Sequence, residues 1–428
     1  MKPQIIFINR VYPPVHGATG RVMRDLAQGF VESGWDVRVI TSGARAGQER
    51  DGKVAVRRVK GAGKPKSVIG YVVVLLRLFF AALALPKIAK GAQDAPIVVT
   101  MTDPPMLAVL GWFLQRVKGY RHMHWCQDLY PDLFPVIGVK FPAFLQKAME
   151  QVALRAMRAA DKIVVVGRCM AVRLADKGID KARLSVIPNW PDAELLHDVA
   201  GESAGFGDDH FFSDAVRSPD EQVKDKPKFR ILYAGNIGRA HPIDTILQAA
   251  EVLNKDHPEI EFVFVGDGPE FEKVSQMRAL KHLDTIRLLP YQPAHKLRDL
   301  MESGDVHLVA MKDEGLGMLV PCKLYSGLAV GRPCVWIGPR EGEGGKVIRD
   351  YGAGEVVVGN DVRGLIDIIR RYRNEPEAWF AAQKAAAKAG QVFVPGASKH
   401  AWIKRAEDVF GKAYFAGAAK RTKRKRAA

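Results

Sequence analysis

In "EGLGMLVPCKLYSGLAVGRP" (Glu314–Pro333) a carboxylate, a glycine-rich run and a lysine stand ahead of a short helical stretch. Pro321 suits the first helical turn and Gly331 the C-terminal cap. The amides of residues 320–323 then lie at the positive end of a helix, where Lys323 adds a full charge. Glu314 cannot hold a phosphate, but it can accept hydrogen bonds from sugar hydroxyls. With the backbone of Gly315, Leu316, Gly317 and Met318 between them, these residues read as a sugar-diphosphate cradle. A surface loop running into a capped helix is the plainer alternative.

Other glycine loops could serve the same chemistry. "YPPVHGATGR" (Tyr12–Arg21) and "AGNIGRAHP" (Ala234–Pro242) each lead from an apolar run into a helical pattern. Gly17 and Gly20 in the first, and Gly235 and Gly238 in the second, let the backbone approach a phosphate or sugar closely. Arg239 can grip a phosphate. In "VGDGPEF" (Val265–Phe271), Gly266 and Gly268 begin a G-x-G, but Phe271 occupies the third glycine's place, so the dinucleotide fingerprint fails. No P-loop motif occurs.

Such loops need strands and helices to aim them. "IIFIN", "DVRVIT", "IVVTM", "RHMHWC" and "KIVVV" are apolar or alternating runs of strand length, with helical stretches between them. After "VIPNWPD" a polar stretch of little periodicity intervenes. The alternation then restarts with "FRILYA", "IEFVFV", "TIRLL", "DVHLVA", "PCVWIG" and "EVVVG". Strand–helix alternation implies parallel sheets covered on both faces. The expected fold class is therefore α/β: two Rossmann-like, doubly wound domains facing a cleft. The expected divisions are residues 1–195, a linker or insertion at 196–228, a second domain at 229–395, and a helix with a basic tail at 396–428.

The 428-residue chain carries a formal net charge of +17. That excess favours an anionic partner: nucleic acid, a phosphorylated ligand or an acidic membrane surface. No recognisable nucleic-acid-binding motif accompanies it. The four cysteines show no zinc-type spacing, so reduced thiols in the cytoplasm are expected. The N-terminus is not a secretory signal. Val68–Leu85 holds one charge, Arg77, and is flanked by Lys64, Lys66, Lys87 and Lys90. A buried or membrane-resting helix is expected there in preference to a span.

Taken together, "YPPVHGATGR", "HWCQDLYPD", "VIPNW", "YAGNIGRA", "FVGDGPE" and "VPCKLYSGLAVGRP" resemble the family-4 glycosyltransferases of GT-B fold, in the branch that builds bacterial polysaccharides on lipid carriers. The resemblance covers nearly the whole chain. It implies a nucleotide-sugar donor, UDP favoured over GDP, held by the second domain. It implies a lipid-linked saccharide acceptor on the first, with the terminal helix crossing back to that domain. No metal, no separate cofactor and retention of anomeric configuration are also implied.

The family's Glu-x7-Glu pair begins at Glu314, with Ser326 where the second Glu would fall; alternatively Met318 stands at the first. The family's Arg and Lys after the second domain's first strand align with Asn236 and His241. Their diphosphate role passes to Arg239 and Lys323. Gln127 stands where the family often has a histidine, and Asp128 beside it is the candidate for contacting the acceptor hydroxyl. Tyr291 lies in a segment expected to contact the base, and Glu314 and His16 lie where the sugar is selected. A nucleotide-sugar epimerase of the same fold and a basic nucleic-acid-binding protein are the competing readings.

Overall fold

In a computed structural model the chain is described over residues 2–15, 17–61, 65, 67–89, 92, 94–196 and 228–411. His16, Lys64, Lys66, Lys90, the polar stretch at 197–227 and the basic tail lie outside the described residues. The first domain contains β1 (Gln4–Ile8), α1 (Ala18–Glu32), β2 (Asp36–Gly43), β3 (Gly47–Asp51), β4 (Val54–Lys60), α2 (Val68–Leu83), β5 (Ile97–Thr100), α3 (Leu107–Phe113), β6 (Arg121–Cys126), α4 (Ala143–Ala159), β7 (Lys162–Val165), α5 (Arg168–Asp176) and β8 (Leu184–Val186). Its sheet has the order β3-β4-β2-β1-β5-β6-β7-β8. Only β3 runs antiparallel to its neighbour. Ile5, Ile6, Phe7 and Ile8 are all buried, as a central strand covered on both faces requires.

The second domain repeats the plan with β9 (Phe229–Ala234), α6 (Ile243–Asp256), β10 (Ile260–Val265), α7 (Phe271–Lys281), β11 (Ile286–Leu289), α8 (Leu297–Glu302), β12 (Val306–Ala310), α9 (Lys323–Ala329), β13 (Cys334–Ile337), α10 (Glu343–Tyr351), β14 (Gly354–Val357), α11 (Val362–Asn374) and α12 (Pro376–Gly390). Its parallel sheet has the order β11-β10-β9-β12-β13-β14. A last helix, α13 (Pro395–Phe410), returns to the first domain. There Trp402 packs 4.8 Å from Trp125 and Phe410 lies 5.5 Å from Trp35, measured between ring centroids. Ser398 Oγ donates to the Pro188 carbonyl at 3.0 Å, and Lys399 pairs with Asp25.

Three features depart from the sequence expectation. β3 and β4 form a hairpin that carries no clear strand signal, because the alternation of "VAVRRVK" is crowded with arginine. One of those arginines, Arg58, is buried; it pairs with Glu49 and donates to the Pro13 carbonyl at 2.5 Å. β8 is too short to signal itself. α9 begins at Lys323, so Pro321 lies just ahead of the helix and not within its first turn, while Gly331 does close its end at φ +63°.

Helix α2 buries Val74, Leu78, Ala81 and Ala82 against the sheet and exposes Ile69, Val72, Leu76 and Phe80. Arg77 is exposed and donates to the Lys60 carbonyl at 2.6 Å, which accounts for the one charge in the apolar run. No helix among the described residues is long and apolar enough to cross a membrane.

Candidate active site

Each sheet has a switch point, where the chain turns from building one edge to building the other. These lie between β1 and β5 in the first domain and between β9 and β12 in the second. Ligands of doubly wound sheets bind beyond the strand ends at such crevices.

The first crevice is braced by Arg10, just past β1, and Asp103, just past β5. The Arg10 amide donates to the Asp103 carbonyl at 2.5 Å, and its guanidinium makes two 2.7 Å bonds to the Asp103 carboxylate. The Arg10 guanidinium also lies 5.6 Å from the ring centroid of Tyr71, on α2. Asp128, just past β6, joins this cluster through its backbone, whose N–H donates to Thr102 Oγ1 at 3.3 Å. Desolvation, and then the Asp103 charge, push the Asp128 carboxyl up to about 7. Gln127 is committed elsewhere. Its amide exchanges hydrogen bonds of 3.0 and 2.7 Å with Asn189, tying the end of β6 to the segment after β8.

The second crevice is closed by one main-chain bond and one from a side chain. Lys312 N donates to the Ala240 carbonyl at 2.8 Å, and His241 Nδ1 donates to the Ala310 carbonyl at 2.5 Å. At its mouth stands Lys323. Its Nζ donates to the Tyr233 hydroxyl at 3.1 Å and to the Asn236 carbonyl at 2.6 Å, and it lies 4.6 Å from the Tyr233 ring centroid. Desolvation lowers the ammonium to about 8. Gly235, at φ +115°, leaves room for that side chain, since a Cβ there would sit 2.9 Å from Lys323 Cε. His241 is held neutral by burial and then by the Lys323 charge, which lower it to about 3.

The remaining sequence candidates lie on the loops beyond the strand ends or on the helices that follow them. Arg239 and Asn236 are exposed on the loop after β9, where Gly238 also lies. Gly266 and Gly268 have a packing reason of their own: a Cβ would fall 2.3 Å from the Gly235 carbonyl oxygen or 2.5 Å from that of Ile237. They let the loop after β10 nest on the loop after β9. Tyr291 is exposed beyond β11, near enough to Asp267 for that charge to raise its hydroxyl, after desolvation. Glu314 is exposed in a tight turn beyond β12, and Ser326 is half-buried on α9. Gly17 precedes α1; His16 is outside the described residues.

The stretch from Gly315 to Met318 meets the other domain. The Leu129 amide donates to the Met318 carbonyl at 2.7 Å, Asp128 bridges Leu319, and Arg173 donates to the Leu316 carbonyl at 3.4 Å. Gly317 has φ +72°, and a Cβ there would lie 3.0 Å from the Cys169 carbonyl oxygen. Below this seam the Arg168 amide and Nε bond Glu343 at 2.5 and 2.9 Å, and Arg168 also pairs with Asp350. The loops beyond the two crevices are therefore stitched together by main-chain bonds.

Arg10, Asp103, Tyr233, Arg168 and Glu343 were not among the sequence candidates. Arg10 stands two residues past β1 and Asp103 three past β5, and only the sheet order brings them together. Among the described residues no group of three or more His, Cys, Asp or Glu is placed to hold a metal ion.

Residues 17–190 match the family described as glycosyl transferase 4-like domain, and residues 216–391 match glycosyl transferases group 1. The chain is 25% identical over 296 residues to WbjE of Pseudomonas aeruginosa, named as a glycosyltransferase, covering 69% of this chain and 70% of that one. It is 27% identical over 353 residues to WcaI of Escherichia coli K12, named as a glycosyl transferase of colanic acid biosynthesis, covering 77% and 82%. The fold is similar to that of Alr3699/HepE from Anabaena, solved with UDP and glucose. That match has a TM-score of 0.66 at 14% identity and covers 94% of this chain and 99% of that one.

Proposed function

The chain belongs to the glycosyltransferases of GT-B fold, with a 4-like first domain and a group 1 second domain, and on that premise we propose that it transfers a sugar from a UDP-sugar to a lipid-linked saccharide in bacterial polysaccharide biosynthesis, with retention and without a metal. The observation that carries this reading is Lys323. It is a desolvated ammonium at the second crevice, bonded to neutral oxygens and a π face.

When the bond between the anomeric carbon and the diphosphate oxygen breaks, negative charge builds on the leaving group. A preorganised cation stabilises that charge without a divalent ion. Exposed Arg239 supplies a second cation as the donor settles. The acceptor hydroxyl attacks the anomeric carbon from the same face, and its proton passes to the departing phosphate. Asp128 accepts a hydrogen bond from that hydroxyl and orients it. Glu314 accepts hydrogen bonds from the transferred sugar. Polysaccharide assembly is the role in which WcaI is named, and HepE was solved with UDP.

The exposed apolar face of α2 supports the membrane part of the proposal. Ile69, Val72, Leu76 and Phe80 dip into the cytoplasmic leaflet, and exposed Lys87 meets anionic headgroups. Tyr71, on the same helix, reaches the Arg10–Asp103 brace, so the membrane-facing helix also borders the acceptor crevice.

The test is transfer of labelled sugar from a panel of UDP- and GDP-sugars to lipid-linked saccharides, in EDTA. Product from a UDP-sugar, in the donor's anomeric configuration, is expected. A strict requirement for a divalent ion, or release of epimerised sugar nucleotide without acceptor, contradicts the proposal.

A further inference from the structure

Lys323 is unusual in what surrounds it. Its Nζ has a hydroxyl, a carbonyl and an aromatic face for company, and among the described residues no carboxylate lies within ion-pair distance of it. A carboxylate there would neutralise the ammonium and repel a diphosphate. A lysine surrounded only by water would sample many rotamers and hold no fixed position.

Tyr233 avoids both outcomes. It is fully buried at the end of β9, its ring 6.0 Å from Phe264 and 6.4 Å from His241, so it cannot swing away. We propose that Tyr233 is a positioning residue for donor binding: its ring and hydroxyl hold the Lys323 ammonium at the crevice mouth with its charge uncompensated, so that an incoming diphosphate becomes its first anionic partner. The inference deepens the UDP-sugar reading and rests on it.

The cradle leaves Lys323 as the group that titrates near neutral pH. Burial raises the Tyr233 hydroxyl, burial and the Lys323 charge keep His241 neutral, and burial raises the Cys322 thiol beside it. Lys312, near His241, adds a like charge. Tyr291, beyond β11, lies near enough to Tyr233 to act on its hydroxyl, and Asp267, beyond β10, near enough to act on Tyr291. Desolvation is the largest influence on Lys323 itself, and a diphosphate counters it by supplying the missing opposite charge. Binding of the diphosphate therefore draws a proton onto Lys323 above pH 8.

The experiment is calorimetric titration of the full-length protein with UDP and with uridine, in EDTA at pH 8.5, in two buffers of different ionisation enthalpy. Wild type is expected to take up a proton with UDP and none with uridine. Tyr233→Phe keeps the ring and its packing and loses only the hydroxyl. It is expected to weaken UDP binding roughly tenfold, the scale of one hydrogen bond to a charged group, and to leave uridine unchanged. Tyr233→Leu, which removes the ring as well, is expected to lose more.

Equal losses for UDP and uridine in Tyr233→Phe would mean general disturbance of the site and overturn the proposal. Wild-type UDP affinity and proton uptake in Tyr233→Phe, alongside weakened UDP binding in Lys323→Ala, would overturn the positioning role while leaving the diphosphate reading intact. Unaltered UDP binding in Lys323→Ala would overturn both.

Discussion

Lys323 and Arg239 both carry positive charge near the second crevice, but only Lys323 is desolvated and held in place. Lys323→Ala is therefore expected to lower kcat by about 10²–10³, the usual effect of removing a fixed transition-state donor. Arg239→Ala should cost less; steady-state kinetics on both variants check the order. Across the cleft, the Asp128 carboxyl titrates near 7 because burial and Asp103 disfavour its charge. Acceptor-dependent transfer should rise as pH passes from 6 to 8 and Asp128 ionises. Asp128→Asn should flatten that rise and leave UDP affinity as in wild type. An unchanged pH profile in that variant would remove Asp128 from the acceptor site. Lys323 and Asp128 were legible in the sequence because each carries a charge inside a motif. Tyr233 was not, because an apolar strand hides a tyrosine whose partner lies far along the chain. The Arg10–Asp103 brace was hidden in the same way, joining two strand ends that only the sheet order brings together.

At the scale of elements, the core strands were legible because each is an apolar or alternating run between turn residues, and every such run is a strand in the structure. The β3–β4 hairpin was not, since Arg57 and Arg58 break the apolar pattern and their partners are distant in sequence. For α2, composition alone leaves core helix, resting helix and span open. The structure narrows this by burying one face and exposing the other. Leu76 is 50% exposed. Leu76→Glu should therefore change stability by no more than about 0.5 kcal/mol, the range for surface substitutions. It should also abolish flotation with anionic liposomes. Flotation equal to wild type would show that this face does not meet lipid.

Across the whole molecule, the apolar core continues from the first sheet through Leu129, Val320 and Leu324 to Trp336, and α13 ties the chain's end back to its beginning. Within this body buried His122, His124 and His307 and half-buried His241 are held neutral by desolvation: His122 and His241 fall to about 3, His124 and His307 to about 4. The unfolded chain protonates them near 6.5, so stability is fully present above that pH and is lost as pH falls toward 4. Each histidine contributes about 1.4 kcal/mol per pH unit in that window. Asp128 and Asp192 oppose them, since burial raises both carboxyls and so favours the folded state at low pH, but they are two groups against four. Urea denaturation at pH 7.5 and pH 5 should give the lower midpoint at pH 5. Ligand binding reports on the same folded body and reaches the central claim, a metal-independent site for a uridine diphosphate. The direct measurement is the melting temperature of the purified protein in EDTA with UDP or GDP. At one hundred times Kd, bound ligand adds about 2.7 kcal/mol. A clear rise with UDP, a smaller one with GDP, and loss of most of the UDP shift in Lys323→Ala are expected. No shift with UDP, or a shift only after magnesium is restored, would contradict that claim.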